Sequence, residues 1–255
     1  MTDATFPDLA GRSVFITGGG SGIGCALTRG FLAQNANVTF VQRSDAKAFC
    51  DETEEVVGRR PHFLPCDVTD VAALHRAMDA AAERQGPITV LVNNAGNDQR
   101  HQMEDYTVEA WDASHAVNLR PQYFAVQKAV SGMRAHGGGA IVNYSSIAYI
   151  MGLAGMTAYV TAKAAITGMT RGLARELGPD NIRVNAVMPG WVLTPRQLDL
   201  WATPEGLAEM LDRQSLKRHL TEEDLVGPTL FLASRASAMV TGQAMVVDGG
   251  VVVTG

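Results

Sequence analysis

A tyrosine and a lysine four residues apart, Tyr159 and Lys163, give the clearest indication of chemistry in this sequence. They lie in the segment AYVTAKAA, which predicts a helix, and two helical residues four apart project from the same face. A tyrosine phenol has a pKa of about 10, whereas a neighbouring ammonium group favours the phenolate and lowers that pKa. The pair is therefore suited to moving a proton on and off an alcohol. In isolation, however, such a pair is more often a solvated pair on a helix surface.

A glycine-rich stretch near the N-terminus, VFITGGGSGIG at residues 14–24, predicts a strand, a tight turn and a helix. Its glycines, Gly18, Gly22 and Gly24, allow a sharp turn and close approach of a ligand to the backbone. The N-terminus of the following helix favours a pyrophosphate. The alternative is a flexible turn without a ligand. The position of the stretch in the first strand–helix unit favours a dinucleotide.

Ser146 lies thirteen residues before Tyr159 and closes the run AIVNYSS, which predicts a buried strand. A hydroxyl at the carboxyl end of a parallel strand points into the crevice where open α/β sheets bind ligands. Ser145 is adjacent and chemically equivalent. Because successive strand residues point to opposite faces, only one of the two hydroxyls is expected to reach the site.

Strand and helix patterns alternate along the chain. Strands are predicted near 13–17, 38–42, 62–66, 88–93, 140–145, 183–188 and 244–248. Helices are predicted near 22–34, 69–85, 108–135, 158–177 and 222–233. The alternation predicts an α/β fold in which residues 1–255 form one domain, a single doubly wound parallel sheet of about seven strands with helices on both faces. One irregular segment, residues 191–220, follows Pro189-Gly190; its Thr203-Pro204 predicts a helix start, and such insertions are often lids.

Composition excludes several classes of function. Among the 255 residues 46% are hydrophobic, yet no run predicts a membrane span, and a net charge of −5 argues against nucleic acid as a partner. The N-terminus has no signal-peptide pattern, so we expect a cytoplasmic protein. The three cysteines are widely spaced, so we expect no disulfides. The sequence has no His-Glu-x-x-His motif, so we expect no catalytic metal.

Together these residues resemble the short-chain dehydrogenase/reductase family, whose Rossmann-like fold fits the predicted sheet. The resemblance covers essentially the whole chain. Further matching pieces are Asn93-Asn94-Ala95-Gly96, Asn118, Asp67-Val68, Pro189-Gly190 and Asp248-Gly249-Gly250.

The resemblance implies a catalytic tetrad of Asn118, Ser146, Tyr159 and Lys163, and its spacing selects Ser146 over Ser145. Tyr159 would exchange the substrate proton, Ser146 would bind the substrate oxygen, Lys163 would lower the pKa of Tyr159, and Asn118 would support a water-linked proton path. It also implies a nicotinamide dinucleotide site. The remaining implied cofactor-binding residues, besides the three glycines, are Ser21, Ile23, Gln42, Arg43, Asp67, Val68, Asn94, Ala95, Gly96, Tyr159, Lys163, Pro189, Gly190, Val192 and Thr194.

The end of the second predicted strand bears on the choice of cofactor. An acidic residue there binds the ribose hydroxyls of NAD, whereas a basic residue accommodates the 2′-phosphate of NADP. This chain has Gln42 and Arg43, which favours NADP over NAD. Asp45 nearby and Ser21, where many NADP users carry a basic residue, argue the other way.

Five consecutive polar side chains, residues 97–101, follow the fourth predicted strand. The loop resembles that of bacterial aldose 1-dehydrogenases of the D-xylose type, although Gln42-Arg43 departs from that group. Asn97, Gln99 and Trp191 are the residues expected to contact substrate; the alternative is a hydrated surface loop. The expected activity is oxidation of the anomeric hydroxyl of an aldose to its lactone.

Two other functions are compatible with the sequence. One is an NADPH-dependent carbonyl reductase acting on a 3-oxoacyl thioester or another small ketone, for which Lys128 and Arg134 offer a small basic patch. The other is a non-catalytic dinucleotide-binding regulator, a class whose members usually lose the tyrosine, lysine or serine. Small residues on the helices near 108–135 and 158–177 allow close packing, and the resemblance implies that these helices pair between subunits. We therefore expect a homotetramer, with a dimer as the alternative.

Overall fold

A computed structural model of the protein describes residues 4–253, and its centre is one seven-stranded sheet. All neighbouring strands are parallel, in the order β3-β2-β1-β4-β5-β6-β7. The chain therefore builds the sheet outward from β1 in both directions, which confirms the predicted doubly wound fold. The strands are β1 (Ser13–Thr17), β2 (Asn37–Gln42), β3 (His62–Pro65), β4 (Val90–Asn93), β5 (Gly139–Tyr144), β6 (Ile182–Pro189) and β7 (Ala244–Val247).

Helices cover both faces of this sheet. Within residues 4–253 they are α1 (Gly22–Ala33), α2 (Lys47–Val57), α3 (Val71–Gln85), α4 (Val108–Asn118), α5 (Arg120–Ala135), α6 (Ala148–Met151), α7 (Thr157–Leu177), α8 (Pro195–Leu200), α9 (Pro204–Arg213) and α10 (Val226–Ala233). Helices α1, α2 and α10 pack on one face, and α3, α5 and α7 pack on the other.

The strands are buried on both sides, as parallel strands between helical layers must be. In β1, Val14 and Ile16 belong to the core under α1, whereas Phe15 belongs to the opposite core under α3 and α5. This continuous apolar pattern made the strands recognisable in the sequence.

Several helices differ from the sequence predictions, and the short helices α6 and α8 were not predicted. The charged helix α2 was not predicted; it ends at Gly58, whose φ of +74° is the left-handed conformation that glycine favours. The helix predicted over 108–135 is two helices separated at Leu119, because Pro121 cannot donate a backbone hydrogen bond and clashes with the preceding turn. The helix predicted over 222–233 begins as a 3₁₀ turn at Glu222–Leu225 before α10.

The 191–220 segment leaves and rejoins the body of the protein at one point. Val192 and Leu220 form a parallel β-bridge at its base, and α8 and α9 lie between them. Thr203 caps α9 by accepting a hydrogen bond from the Gly206 amide at 3.1 Å, as its sequence predicted. Between residues 4 and 253, none of the helices has the length and apolarity needed to cross a membrane.

Candidate active site

The candidate site lies where the order in which strands are added to the sheet reverses. Strands β1 and β4 are neighbours, but their following connections run to opposite sides, which opens a crevice at their carboxyl ends. Thr17 ends β1, and its hydroxyl accepts hydrogen bonds from the backbone amides of Asn94 and Ala95 at 3.0 and 3.1 Å. The two strand ends are thereby fixed to each other at the floor of the crevice.

The Asn94 side chain stabilises the start of the glycine turn. Its side-chain amide donates to the carbonyl oxygens of Thr17 at 3.1 Å and Gly18 at 3.0 Å. Gly18 has a φ of +69°, and a Cβ atom there would lie 3.1 Å from the Cα of Ala95. The structure therefore brings Asn94, Ala95 and Gly18 together.

The turn that leads into α1 has the shape of a phosphate cradle. A Cβ atom on Gly24 would collide with the carbonyl oxygen of Gly18, so only glycine fits there. Ser21 precedes α1 in an extended conformation, and its side chain makes no capping hydrogen bond. The first amides of a helix have no partner within it, and the positive end of the helix dipole favours an anion. These residues, with Ile23 in the first turn, fit the pyrophosphate of a dinucleotide.

Gln42, at the end of β2, holds the glycine turn in place by hydrogen bonds. Its Oε1 accepts a hydrogen bond from the Gly20 amide at 3.0 Å, and its Nε2 donates to the Ser44 carbonyl at 3.1 Å. The side chain thus ties the glycine turn to the loop after β2. It presents no carboxylate to the crevice.

Arg43, the next residue, is open to solvent. Its side chain is 79% exposed. Its guanidinium lies 4.0 Å from the carboxylate of Asp67, which lies two residues after the end of β3. Asp67 accepts hydrogen bonds from the amide and hydroxyl of Thr69, and these bonds lower the pKa of its carboxyl despite partial burial. Val68 beside it is buried in the core.

Tyr159 and Lys163 lie on one face of α7, as predicted, but the pKa of Tyr159 shifts in the direction opposite to the sequence expectation. Burial raises the pKa of Tyr159 to about 12 and lowers that of Lys163 to about 8. The ammonium donates to the Tyr144 carbonyl at 2.8 Å and lies 5.4 Å from the centroid of the Tyr159 ring. Both charged forms are disfavoured because the site is desolvated.

The two serines after β5 point in different directions. The Ser145 hydroxyl is buried and donates to the Lys163 carbonyl at 2.7 Å. The Ser146 hydroxyl hydrogen-bonds Tyr159, which opposes the rise in the tyrosine pKa, and accepts a bond from the Ala148 amide at 3.1 Å. Ser146 therefore shares the crevice with Tyr159, whereas Ser145 anchors α7 to the sheet.

Asn118, the last residue of α4, holds the loop after β4. Its side chain accepts a hydrogen bond from the Asn97 amide at 2.8 Å and donates to the Asn97 carbonyl at 2.9 Å. Its side-chain oxygen and the Lys163 ammonium both approach Gly96, where a Cβ atom would lie 3.2 and 3.4 Å from them. Asn118 is thus next to the site, and its side chain is engaged with the loop backbone.

The loop after β4 is joined to the 191–220 segment by polar contacts. Gln197 donates to the Asp98 carboxylate at 2.7 Å and accepts from the Trp191 indole at 2.9 Å. Arg196 donates to the Asn97 side chain at 3.0 Å. Sequence reasoning selected Asn97, Gln99 and Trp191 here but missed the partners of Asp98, since no local signal indicates which residues of a folded-over segment will meet the loop.

Three other predicted residues lie in the β4 loop and in the 191–220 segment. Gln99 is exposed at the surface of its loop. Thr194 caps α8, and a Cβ atom on Gly22 would lie 3.2 Å from its methyl group, so the 191–220 segment reaches the glycine turn. Val192 is buried at the base of that segment.

Pro189 is the last residue of β6, and Gly190 follows it. The Gly190 amide donates to the Val247 carbonyl at 2.9 Å, and a Cβ atom at position 190 would lie only 2.8 Å from the Cβ of Asp248. Glycine is therefore required for the close approach of β6 to the end of β7. Across residues 4–253, histidine, cysteine and acidic side chains form no group of three or more that is suited to a metal ion.

Comparisons with known proteins agree with this geometry. A family model described as "Enoyl-(Acyl carrier protein) reductase" matches residues 18–252. A protein of Rhizobium meliloti (strain 1021) named "Probable galactose dehydrogenase GalD" is 49% identical over 98% of this chain and 99% of its own length. D-xylose 1-dehydrogenase of Caulobacter vibrioides is 44% identical over 98% of this chain and 99% of its own.

A solved structure extends the likeness to three dimensions. The crystal structure of a blue fluorescent protein from a metagenomic library, in complex with NADPH, matches with a TM-score of 0.88. It is 33% identical, and the match covers 96% of this chain and 100% of that one. With a family match over nearly its full length, this chain belongs to the short-chain dehydrogenase/reductase family and is an oxidoreductase.

Proposed function

We propose that this protein oxidises the anomeric hydroxyl of an aldose to the corresponding lactone. The observation that carries the proposal is the polar loop after β4, whose backbone at Gly96 approaches the Lys163 ammonium and whose Asn97 and Asp98 side chains are bonded to the 191–220 segment. A sugar offers several hydroxyl groups to such a loop, and buried polar groups discriminate strongly against analogues without them. The names of the two sugar-dehydrogenase relatives support the same substrate class.

In the proposed reaction the chain's own residues handle the proton and the oxygen. Bound NAD(P), the family's cofactor, supplies the hydride acceptor. Tyr159 takes the proton of the anomeric hydroxyl, and Ser146 hydrogen-bonds the same oxygen as its charge develops. Lys163, held by the Tyr144 carbonyl, provides the positive charge beside the phenol. Asn118 fixes the loop backbone that faces them.

Initial rates of nicotinamide reduction across a panel of pentoses and hexoses test this function, each run with NAD and with NADP. We expect turnover with one or two aldoses. Reduction of a small ketone without oxidation of any aldose would refute the proposal.

Two observations bear on the acyl-thioester reductase alternative. A reductase that docks an acidic carrier protein needs free basic side chains. Lys128 is paired with Asp79 at 2.6 Å, and Arg134 is paired with Asp180 at 2.7 Å. The small basic patch expected from the sequence is thus neutralised by neighbouring carboxylates, which favours the sugar substrate.

NADP is the cofactor we propose, on the basis of Arg43. Replacing Arg43 with alanine is expected to raise the KM for NADP by about 10-fold or more and to leave the KM for NAD nearly unchanged, because a charge-assisted bond to the 2′-phosphate is lost. The measurement is steady-state kinetics with each cofactor. Arg76→Ala removes another exposed arginine and serves as the control. An equal effect on both cofactors would contradict the assignment.

We also infer a homotetramer, with a dimer as the alternative. Helix α4 contributes only Asn118 to the buried residues, while Val108 and Trp111 on α4 and Tyr123 on α5 are exposed. Exposed apolar groups on adjacent helices are typical of an interface.

Light scattering after size exclusion should give about four times the 27.1 kDa of one chain. Trp111→Glu should shift the protein toward smaller species, whereas Met239→Glu, at a fully exposed methionine, should not. A monomeric mass at micromolar concentration would contradict the inference.

A further inference from the structure

Asp98 is the acidic residue of the polar 97–101 loop, and two residues of α8 hold it in place. Its side chain is only 19% exposed. Gln197 donates to one carboxylate oxygen at 2.7 Å, and the Arg196 guanidinium lies 3.6 Å from the other. The carboxylate is therefore oriented from the outer side of the crevice.

The orientation of Gln197 is itself determined by a second bond. Its Oε1 accepts from the Trp191 indole at 2.9 Å, so its Nε2 must face Asp98. On the inner side, Asn118 holds the backbone of the preceding residue, Asn97, by two hydrogen bonds. The carboxylate thus has a fixed position between the 191–220 segment and the catalytic face of α7.

The negative charge of Asp98 affects the pKa of both Tyr159 and Lys163, the proton-handling pair. It contributes to raising the pKa of Tyr159 and opposes the burial-driven lowering of the pKa of Lys163. Geometry agrees with this, because a Cβ atom at Gly96, two residues before Asp98, would lie 3.4 Å from the Lys163 ammonium, so this part of the loop faces the proton-handling pair. A carboxylate has lone pairs for about four hydrogen bonds, of which Gln197 uses one.

We propose that Asp98 determines substrate specificity by accepting hydrogen bonds from the hydroxyl groups beside the reacting carbon of the sugar. This assignment rests on the proposed aldose activity. A carboxylate accepts from hydroxyl groups and offers no donor at neutral pH, so it selects polyols over ketones and over deoxy sugars. Gln197 and Arg196 act as positioning residues through Asp98.

The test compares an aldose with its 2-deoxy analogue in the wild type and in Asp98→Asn. The wild type should prefer the full aldose by a factor of about 100 or more in kcat/KM, because the deoxy analogue leaves a carboxylate lone pair unsatisfied. Asp98→Asn keeps an oxygen for Gln197, so the loop should remain in place. We expect this variant to raise the KM for the aldose by about 10- to 100-fold and to reduce the preference over the deoxy sugar to a few-fold.

A purely structural role for Asp98 would lower activity with both sugars equally and would leave their ratio unchanged, so an unchanged ratio overturns the assignment. Asp105→Asn, at an exposed aspartate of the same connection, is the matched control and should leave both values unchanged. Asp98→Glu, which keeps the charge but displaces it, provides a second variant if Asp98→Asn does not fold. A wild type without aldose activity would instead overturn the proposed function, and this assignment with it.

Discussion

Replacing Tyr159 with phenylalanine is expected to reduce kcat by about 10²- to 10⁴-fold, the range that a positioned acid–base group contributes. The change removes only the hydroxyl that hydrogen-bonds Ser146. The ring remains beside the Lys163 ammonium, so the fold and the affinity for the dinucleotide should be retained. Steady-state kinetics, together with fluorescence titration of the cofactor, separates these effects.

Tyr144 provides a matched control. Its hydroxyl is buried and bonded to Thr229 at 2.7 Å, while its backbone carbonyl holds Lys163. Tyr144→Phe leaves that carbonyl in place, so it should cost about 1 kcal/mol in the free energy of unfolding with little change in kcat. Similar losses of kcat in both variants would refute a special role for Tyr159.

The raised pKa of Tyr159 also fixes the direction of the pH dependence. Sugar oxidation needs the phenolate as base, and burial holds the folded-state pKa at about 12. The phenolate fraction therefore grows as pH rises, and kcat/KM for oxidation should increase with pH up to about 8, where Lys163 begins to lose its positive charge. The sequence pointed to the opposite shift, because it showed the lysine four residues away but not the burial that disfavours both charges.

Local patterns were sufficient for most of the framework. Each strand is a short run of apolar residues between turn residues, and each was found within a few residues of its position in the structure. The glycine turn and the Tyr159–Lys163 helix were likewise visible, because their geometry depends on neighbours in sequence. The break at Leu119 was also signalled by Pro121, although the prediction ran one helix through it.

Contacts between distant segments were not accessible in the same way. Asp98 and Gln197 are 99 residues apart in sequence, and Asn118 and Asn97 are 21 apart. These pairs form only because the 191–220 segment folds over the β4 loop and because α4 ends beside it. Amides and carboxylates are common on any surface, so their types alone do not indicate which ones converge.

The paired serines give the second large effect. Ser146→Ala is expected to reduce kcat by about 10²-fold, because it removes a donor aimed at the oxygen where negative charge develops. Its neighbour provides the control within the same turn. Ser145→Ala removes a buried bond to the Lys163 carbonyl, so it should lower the free energy of unfolding by about 1 kcal/mol and leave kcat nearly unchanged.

We therefore expect the two variants to give opposite results. Ser146→Ala should lower kcat in steady-state kinetics, whereas Ser145→Ala should lower the free energy of unfolding measured with heat or denaturant. Ser146 lies at the end of the sheet and is partly exposed to the crevice, whereas Ser145 faces α7 with its hydroxyl satisfied by the backbone. A substitution at 146 therefore removes a group from the reacting oxygen, and one at 145 removes a group from the packing of α7. Loss of turnover in Ser145→Ala with normal turnover in Ser146→Ala would exchange their roles and show that Ser145 contacts the substrate.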